Sequence, residues 1–281
     1  AKVTIGGRLA QLSRIYNITL PTPRPKPHLP PHWTPSAPTA HYLITQRKDT
    51  ITDTETQQLF REYKHRYSTH HFIYTDGSKF DNNTGAAAVL RSPNQPPVIA
   101  FQARLPDNTS IYTAELFAIY TAYITIQNKG LTNTTIASDS KSAITALSHI
   151  PTQPTHPIIH DILRTHQQLN EEQQPTLLWI PGHAGILGNE AADKVAKSAA
   201  FRTDILTIPL AKSDFNSTLR QRLMSHYQDT WSETRTRLQD LHPTIRPWTN
   251  NNFDTRTNEK IMTRLRIGHT YITHLHILRG Q

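Results

Sequence analysis

The sequence predicts an α/β fold built on a mixed five-stranded sheet, with three antiparallel strands, two parallel strands and helices on its faces. Three short apolar segments with strand character follow one another between residues 72 and 103, which is typical of an antiparallel meander. Each of the two later strands is preceded by a helical segment, the type of crossover that parallel strands require. The predicted order is therefore β-β-β-α-β-α-α-β-α.

The meander is defined by apolar segments and by the turn-forming residues between them. Its strands are expected at residues 72–75, 85–90 and 98–103. The sequence Asp76-Gly77-Ser78 is predicted to end the first strand in a turn, and the proline-containing stretch after the second strand is predicted to turn as well.

The remaining elements alternate between helix and strand. We expect helices at residues 111–127, 140–147, 157–169 and 188–200, and strands at residues 134–138 and 177–180. Gly130 is expected to end the first of these helices, and Pro181-Gly182 to break the last strand. Asn189 has the residue type of a helix cap, so we expect it to cap the last helix.

The flanks differ in composition from this central domain, which we place at residues 68–202. Residues 1–67 are predicted to be a linker region, since the stretch 20–38 contains eight prolines and reads as an extended spacer. A short polar helix is expected at about 53–67, anchored by Leu59, Phe60 and Tyr63. Residues 203–281 are predicted to form a basic, helical C-terminal region.

The net charge of +9 is unevenly placed along the chain. Residues 1–70 contain ten Lys/Arg and four Asp/Glu. Residues 71–200 contain eight Lys/Arg and ten Asp/Glu, and residues 201–281 contain twelve Lys/Arg and seven Asp/Glu. Basic flanks are often no more than solvated surface. The alternative is that they attract phosphates while the acidic middle holds cations.

Compartment signals are few. No apolar run approaches the roughly 20 residues that span a bilayer, so no membrane partner is expected. The chain has no cysteine, which excludes disulfides and thiolate zinc sites and fits an intracellular protein. It does not begin with Met and has no secretory signal pattern, so we expect a fragment of a longer protein.

Four acidic residues occupy positions where a structural residue would usually be apolar. Asp76 and Asp139 end predicted strands, Glu115 lies on the apolar face of the long helix, and Asp193 lies early in the last helix. Each alone is explained by a turn, a helix dipole or an ion pair. Four converging acids would repel one another unless cations compensated them. Two divalent cations about 3.5–4 Å apart can activate water and stabilise a leaving phosphodiester oxygen.

Five motifs in order give this segment a specific resemblance. They are Tyr74-Thr75-Asp76-Gly77-Ser78, Ala114-Glu115-Leu116, Ser138-Asp139-Ser140, Trp179-Ile180-Pro181-Gly182-His183 and Gly188-Asn189-Glu190-Ala191-Ala192-Asp193. With this spacing, about residues 71–200 resemble a ribonuclease H domain of the type attached to reverse transcriptases. The resemblance implies a ribonuclease H-like fold and cleavage of the RNA strand of RNA–DNA hybrids.

The resemblance also implies roles for individual residues. Asp76, Glu115, Asp139 and Asp193 would hold two Mg²⁺ ions, with Mn²⁺ as an alternative. His183 lies at the family's mobile-histidine position, and with an unperturbed pKa of about 6.5 it would move a proton or assist product release. Main-chain groups at Gly77 and Ser78 would contact the 2′-hydroxyls of the RNA strand.

Other parts of the sequence bear on partners and on competing functions. Residues 262–270 resemble the region that follows the domain in non-LTR retrotransposon polyproteins, which implies a reverse transcriptase partner and a location in cytoplasm or nucleus. Residues 140–174 contain only Lys141 and Arg164 as strong cations, so we expect the isolated core to bind hybrid weakly. Two alternatives remain open, namely a catalytically silent nucleic-acid-binding module and, with a poorer fit, a DNA-strand-transfer enzyme.

Overall fold

A computed structural model describes most of the chain, in two compact units that are considered separately. The described residues are 11, 14–15, 37–45, 50–107, 109–149, 156–208, 211–234, 236, 239–240, 242–246 and 255–266. One unit comprises residues 21–215, and the other comprises residues 1–20 and 216–281. The proline-rich stretch at 20–36, Arg235, Arg237 and residues 267–281 lie outside the described residues.

The strands described in residues 21–215 form one mixed sheet. They are β1 (Ala40–Tyr42), β2 (His71–Phe80), β3 (Asn83–Arg91), β4 (Val98–Leu105), β5 (Thr134–Ser138) and β6 (Thr176–Trp179). Their order across the sheet is β1-β6-β5-β2-β3-β4. The pairs β2–β3 and β3–β4 are antiparallel, whereas β2–β5, β5–β6 and β1–β6 are parallel. This confirms the mixed α/β architecture.

Helices cover both faces of the sheet because both faces are apolar. In residues 21–215 they are α1 (Asp53–Arg66), α2 (Ile111–Lys129), α3 (Lys141–Leu147), α4 (Pro157–Gln168) and α5 (Leu187–Ala199). Alternate residues of a strand point to opposite faces. Ile73, Ile136 and Leu177 accordingly pack in the cluster that contains α2, α3 and α4. Their neighbours Phe72 and Leu178 pack in the cluster that contains α1 and α5.

The predicted turn at Asp76-Gly77-Ser78 is wrong, because β2 continues through it to Phe80. The strand continues because β3 pairs with it along its whole length, and Gly77 lies opposite Ala86. The chain reverses instead after Phe80, where Asp81 has a φ of +49°, as two-residue hairpin loops require.

The sheet has six described strands, not the five that the sequence predicted. The sixth, β1, lies in the predicted linker region and pairs with β6, with Tyr42 opposite Trp179. Three residues are too few to show an alternating pattern. This strand exists because its backbone completes the open edge of β6, and local sequence does not reveal such pairing.

Helix α1 is confirmed, and it packs on the sheet as part of the same unit. Thr52 and Glu55 form a capping box, in which each side chain binds the other residue's backbone N–H. Phe60 is buried at 7% exposure in the cluster with Phe72 and Tyr74, while Leu59 is 37% exposed and is not the anchor that we expected. Sheet and covering helix therefore extend N-terminal to residue 68.

The same unit also extends past residue 202. The Leu206 N–H donates to the Arg104 carbonyl at 2.8 Å, so the chain runs beside the outer edge of β4. Asp214, 2% exposed, accepts hydrogen bonds from the Thr113 hydroxyl at 2.7 Å and from the Ser110 N–H at 3.2 Å. Ser110 caps α2, so this segment fixes the start of that helix.

The C-terminal unit is helical where it is described. Its helices are α6 (Lys212–Glu233), which belongs to this unit from residue 216 onward, and α7 (Arg256–Arg266). Trp231 donates from Nε1 to the His242 carbonyl at 2.8 Å, which holds the chain after α6 against that helix. Among all described residues, no helix has the length and apolar character needed to cross a membrane.

Replacing Phe60 tests whether α1 is an integral part of the fold. Phe60→Ala should lower the free energy of unfolding by about 3–5 kcal/mol, because a large buried side chain leaves a cavity. Leu59→Ala, the neighbouring exposed position on the same helix, should change it by less than about 0.5 kcal/mol. Urea unfolding followed by circular dichroism measures both. Equal effects of the two substitutions would show that α1 is not packed on the sheet.

Candidate metal centre

Three of the four predicted acids meet at one end of the central strands. A carboxylate oxygen from each of Asp76, Glu115 and Asp139 lies within 4.8 Å of the others. Thr75 of β2 is paired with Ser138, the last residue of β5, so the residues that follow them, Asp76 and Asp139, lie at the same end of these strands. The sheet register therefore brings together two acids that are 63 positions apart in sequence.

Glu115 reaches the same point from α2 because that helix lies directly against β2. A Cβ atom on Gly77 would lie only 2.7 Å from the backbone nitrogen of Glu115 and 2.9 Å from Cβ of Ala114. Only glycine permits this approach. A backbone hydrogen bond from Gly77 also acts to lower the pKa of Glu115, so Gly77 contributes both space and a favourable interaction.

Burial and mutual repulsion disfavour the ionised forms of these acids. Asp76 and Glu115 are 6% and 8% exposed. Burial raises the pKa of Asp76 to about 8, and the charges of Asp139 and Asp193 contribute to the rise. Burial raises the pKa of Glu115 well above its ordinary value, with added repulsion from Asp76 and Asp139. Burial also raises the pKa of Asp139.

The donor set fits divalent cations. Oε2 of Glu115 is buried and has no hydrogen-bond partner among the described residues. Unpaired buried carboxylate oxygens are costly, and hard cations such as Mg²⁺ take oxygen ligands. An ion held among the three acids would bind the orphaned oxygen and compensate the repulsion, so these residues fit the metal that the resemblance implies.

Asp193 lies in a neighbouring group rather than among the first three acids. Its carboxylate, that of Glu190 and the His183 ring each place a ligand atom within 4.8 Å of the others. Lys197 donates to Oδ2 of Asp193 at 2.7 Å. Since the charge of Asp193 raises the pKa of both Asp76 and Asp139, the two groups are electrostatically coupled.

His183 lies on the exposed loop between β6 and α5. Its φ of +56° is rare for a residue other than glycine. A Cβ on the preceding Gly182 would lie 2.6 Å from Oδ2 of Asp139, so glycine allows the loop to pass close to that carboxylate. The electrostatic interaction with His183 lowers the pKa of Asp139.

Asn189 is a site residue that the sequence reading assigned wrongly, as a helix cap. Helix α5 begins at Leu187 after Ile186, so Asn189 lies within its first turn. Its buried Nδ2 donates to Oδ2 of Asp139 at 3.3 Å, a bond that lowers the pKa of that acid. Its place in the motif that contains Asp193 marks Asn189 as a candidate site residue, but only the tertiary structure shows its contact with Asp139.

Two further contacts hold the end of β5 in place. The Trp179 indole Nε1 donates to the Asp139 backbone carbonyl at 3.0 Å. Lys141 places its ammonium 4.9 Å from the centre of the Trp179 ring, in a cation–π contact. The backbone from which the Asp139 side chain projects is therefore fixed from the neighbouring strand.

The predicted substrate contacts at Gly77 and Ser78 lie beside the acids. Both residues are within β2, and Ser78 is 7% exposed. The backbone of Gly77 interacts with Glu115, where it acts to lower the pKa of that acid. Contact of these two residues with a hybrid stays a prediction.

Fold and site together define a protein with a ribonuclease H-like fold and an acidic centre suited to divalent cations. Residues 68–201 match the family model described as RNase H. The match spans just under half of the chain and supports a ribonuclease H domain in that segment. It also supports, in general terms, ribonuclease activity on RNA–DNA hybrids.

The raised pKa of Asp76 predicts how the stability of the metal-free protein depends on pH. The folded protein keeps this proton up to about pH 8, whereas the unfolded chain releases it near pH 4. Stability in EDTA should therefore fall as pH rises through this window, by up to about 1.4 kcal/mol per pH unit from this group.

Urea unfolding of the wild type and of Asp76→Asn between pH 5 and pH 8 measures this effect. The variant should lose part of the slope and be more stable than the wild type at pH 8 by at least about 1 kcal/mol. Asp81→Asn, at an exposed hairpin residue, should leave the slope unchanged. A wild type whose stability rises from pH 5 to pH 8 with the same slope as Asp76→Asn would contradict the prediction.

Proposed function

We propose that this chain is a metal-dependent endonuclease that hydrolyses the RNA strand of RNA–DNA hybrids and leaves 5′-phosphate and 3′-hydroxyl ends. The observation that carries the proposal is the meeting of two buried acids, Asp76 and Glu115, with the half-buried Asp139, around a Glu115 oxygen that has no partner among the described residues. Such a centre is unfavourable by itself and suits cations. The RNase H match over the same segment supports the choice of substrate.

In this proposal two Mg²⁺ ions, with Mn²⁺ as the alternative, are held by Asp76, Glu115, Asp139 and Asp193. When bound, they supply Lewis-acid activation of water and stabilisation of the leaving oxygen. The protein restrains three of the four carboxylates. Asn189 donates to Oδ2 of Asp139, Lys197 donates to Oδ2 of Asp193, and a backbone hydrogen bond from Gly77 favours the ionised form of Glu115.

His183 is proposed to move a proton or to assist product release. Its ring is exposed and lies with Glu190 and Asp193 at the rim of the acidic centre. An imidazole at such a position can take a proton from water or give one to the leaving oxygen. Contacts from the main chain near Gly77 and Ser78 to 2′-hydroxyls are proposed to distinguish the RNA strand from DNA.

The larger protein is proposed to be a non-LTR retrotransposon polyprotein, in which this domain would serve reverse transcription. The support is the resemblance of the motifs and of residues 262–270, together with the proline-rich stretch expected to act as a spacer. The proposed partner is a reverse transcriptase domain of the same polyprotein. Cytoplasm and nucleus are the compartments where such an element would act.

Cleavage of a labelled RNA–DNA hybrid in Mg²⁺ tests the function directly. The wild type should cut only the RNA strand of the hybrid and leave single-stranded RNA and duplex DNA intact. Asp76→Asn should lower the rate by at least about 100-fold, as expected when a group that organises transition-state charge is removed. Asp81→Asn is the matched control and should cut like the wild type.

A well-folded wild type that binds hybrid without cutting it would contradict this proposal. It would favour the alternative of a catalytically silent binding module on the same fold. The salt bridge from Lys197 to Asp193 is relevant to that alternative, because the ammonium occupies an oxygen that a metal would need.

Metal binding is measurable without activity. Mg²⁺ at 100 times its dissociation constant should stabilise the wild type against unfolding by about 2.7 kcal/mol. Glu115→Gln removes a ligand charge and relieves repulsion, so the metal-free variant should be more stable than the wild type and gain less from Mg²⁺. Unfolding curves with EDTA and with Mg²⁺ measure both effects. The same Mg²⁺ stabilisation in both proteins would exclude Glu115 as a ligand.

A further inference from the structure

A pair of adjoining clefts lies between α1, the end of β3 and the start of α5. They have volumes of about 360 and 440 Å³ and share three lining residues, Arg61, Lys64 and Arg91. We call the two together the cationic cleft. Its shared wall is therefore positively charged.

The charge in the cationic cleft is not balanced by nearby acids. Within the described part of the chain, none of Arg61, Lys64 and Arg91 takes part in an ion pair. Burial lowers the pKa of Lys64, and the positive charge of Arg91 lowers it further. The Lys64 ammonium also lies 5.8 Å from the centre of the Phe72 ring. Like charges are thus held together on a concave, accessible surface, which favours an anionic ligand.

The cationic cleft adjoins the loop that carries His183. Gln57 of α1 donates from Nε2 to the Ala184 carbonyl at 3.0 Å, next to His183. Gly185 lines the cleft, and since consecutive Cα atoms are about 3.8 Å apart, its Cα lies within about 8 Å of that of His183. Tyr74 also lines the cleft, two residues along β2 from Asp76.

We propose that the cationic cleft binds the phosphodiester backbone of the RNA–DNA hybrid where the hybrid extends past the acidic centre. This inference rests on the proposed function, because it takes the hybrid as the ligand of the neighbouring site. Each strand carries a phosphate about every 3.4 Å of axis, so a hybrid at the carboxylates would present several phosphates to a surface this close.

The position of the cleft explains how a core with few cations after Asp139 would retain its substrate. Arg61 and Lys64 belong to α1, which lies before the segment that matches the family model. Phosphate contacts add affinity without reading sequence and make binding depend on salt. Each such contact lowers the slope of log affinity against log salt by about one.

The test uses the full 281-residue chain carrying Asp76→Asn, so that binding is measured without cleavage. Fluorescence anisotropy with a labelled hybrid, over a range of salt concentrations, compares Arg61→Gln/Lys64→Gln with a charge-matched control, Lys129→Gln/Arg164→Gln. Glutamine keeps much of each side-chain stem, so the packing of α1 is preserved. The control residues lie on α2 and α4, which cover the other face of the sheet. Circular dichroism checks that both variants are folded.

The α1 variant should bind hybrid at least roughly tenfold more weakly at about 0.1 M salt and lose about two units of salt slope, while the control stays near the parent. Adding Arg91→Gln should weaken binding further. In chains that keep Asp76, the α1 double substitution should raise KM and leave kcat largely unchanged, because the cleft makes no contact with the reacting phosphate.

Two results would overturn the inference. The first is that the α1 variant binds hybrid with the same affinity and the same salt slope as the control. The other is loss of binding to polyglutamate with unchanged binding to hybrid, which would assign the cleft to an acidic protein partner. Failure of the proposed function gives a different result. The chain that keeps Asp76 would then not cut hybrid, but the α1 variant would still bind hybrid more weakly and with a smaller salt slope than its parent. That result would support the cleft as a nucleic-acid site.

Discussion

Repulsion among the carboxylates of buried Asp76, buried Glu115 and half-buried Asp139 is the constraint on which the rest of the site depends. Burial and proximity both disfavour their ionised forms, so the fold must force the three together. Strand pairing fixes the two aspartates, and glycine lets α2 approach closely enough to bring in the glutamate. The repulsion at this centre lowers the free energy of unfolding of the metal-free protein, and bound cations would raise it again. A centre of this kind is suited to chemistry that places further negative charge beside metal ions.

Elements outside the family-matched segment hold parts of this centre in place. On the N-terminal side, α1 packs through Phe60 on the sheet face that α5 also covers, and Gln57 binds the loop that carries His183. On the C-terminal side, buried Asp214 binds the cap and first turn of α2, the helix that carries Glu115. The structural unit is therefore larger than residues 68–201, and both extensions contact elements that position site residues.

The acidic centre and the cationic cleft carry opposite charges, so they have different roles in binding a nucleic acid. The acidic centre repels a nucleic acid unless cations are bound, so binding must come largely from elsewhere on the surface. Arg61 and Lys64 on α1, with Arg91, form a positively charged cleft that Gly185 of the His183 loop also lines. The cationic cleft and the acidic centre are thus adjacent but separate. The Arg and Lys side chains of the cleft therefore do not compete with metal ions for the carboxylates of the centre. Lys197, which is not part of the cleft, does contact Asp193.

Sequence by itself determined the fold class and the order of the central elements, and it predicted four converging acids, three of which meet, since apolar periodicity and motif spacing are local properties. Tertiary structure decided what depends on contacts between distant segments. Pairing with β3 carries β2 through Asp76-Gly77-Ser78, where local residue types favour a turn. The open edge of β6 creates β1 from three residues without a pattern, and a buried bond to Asp139 gives Asn189 its role. Backbone pairing and close packing decide these features. Their free energy comes from contacts with segments that are distant in sequence, which a local pattern does not contain.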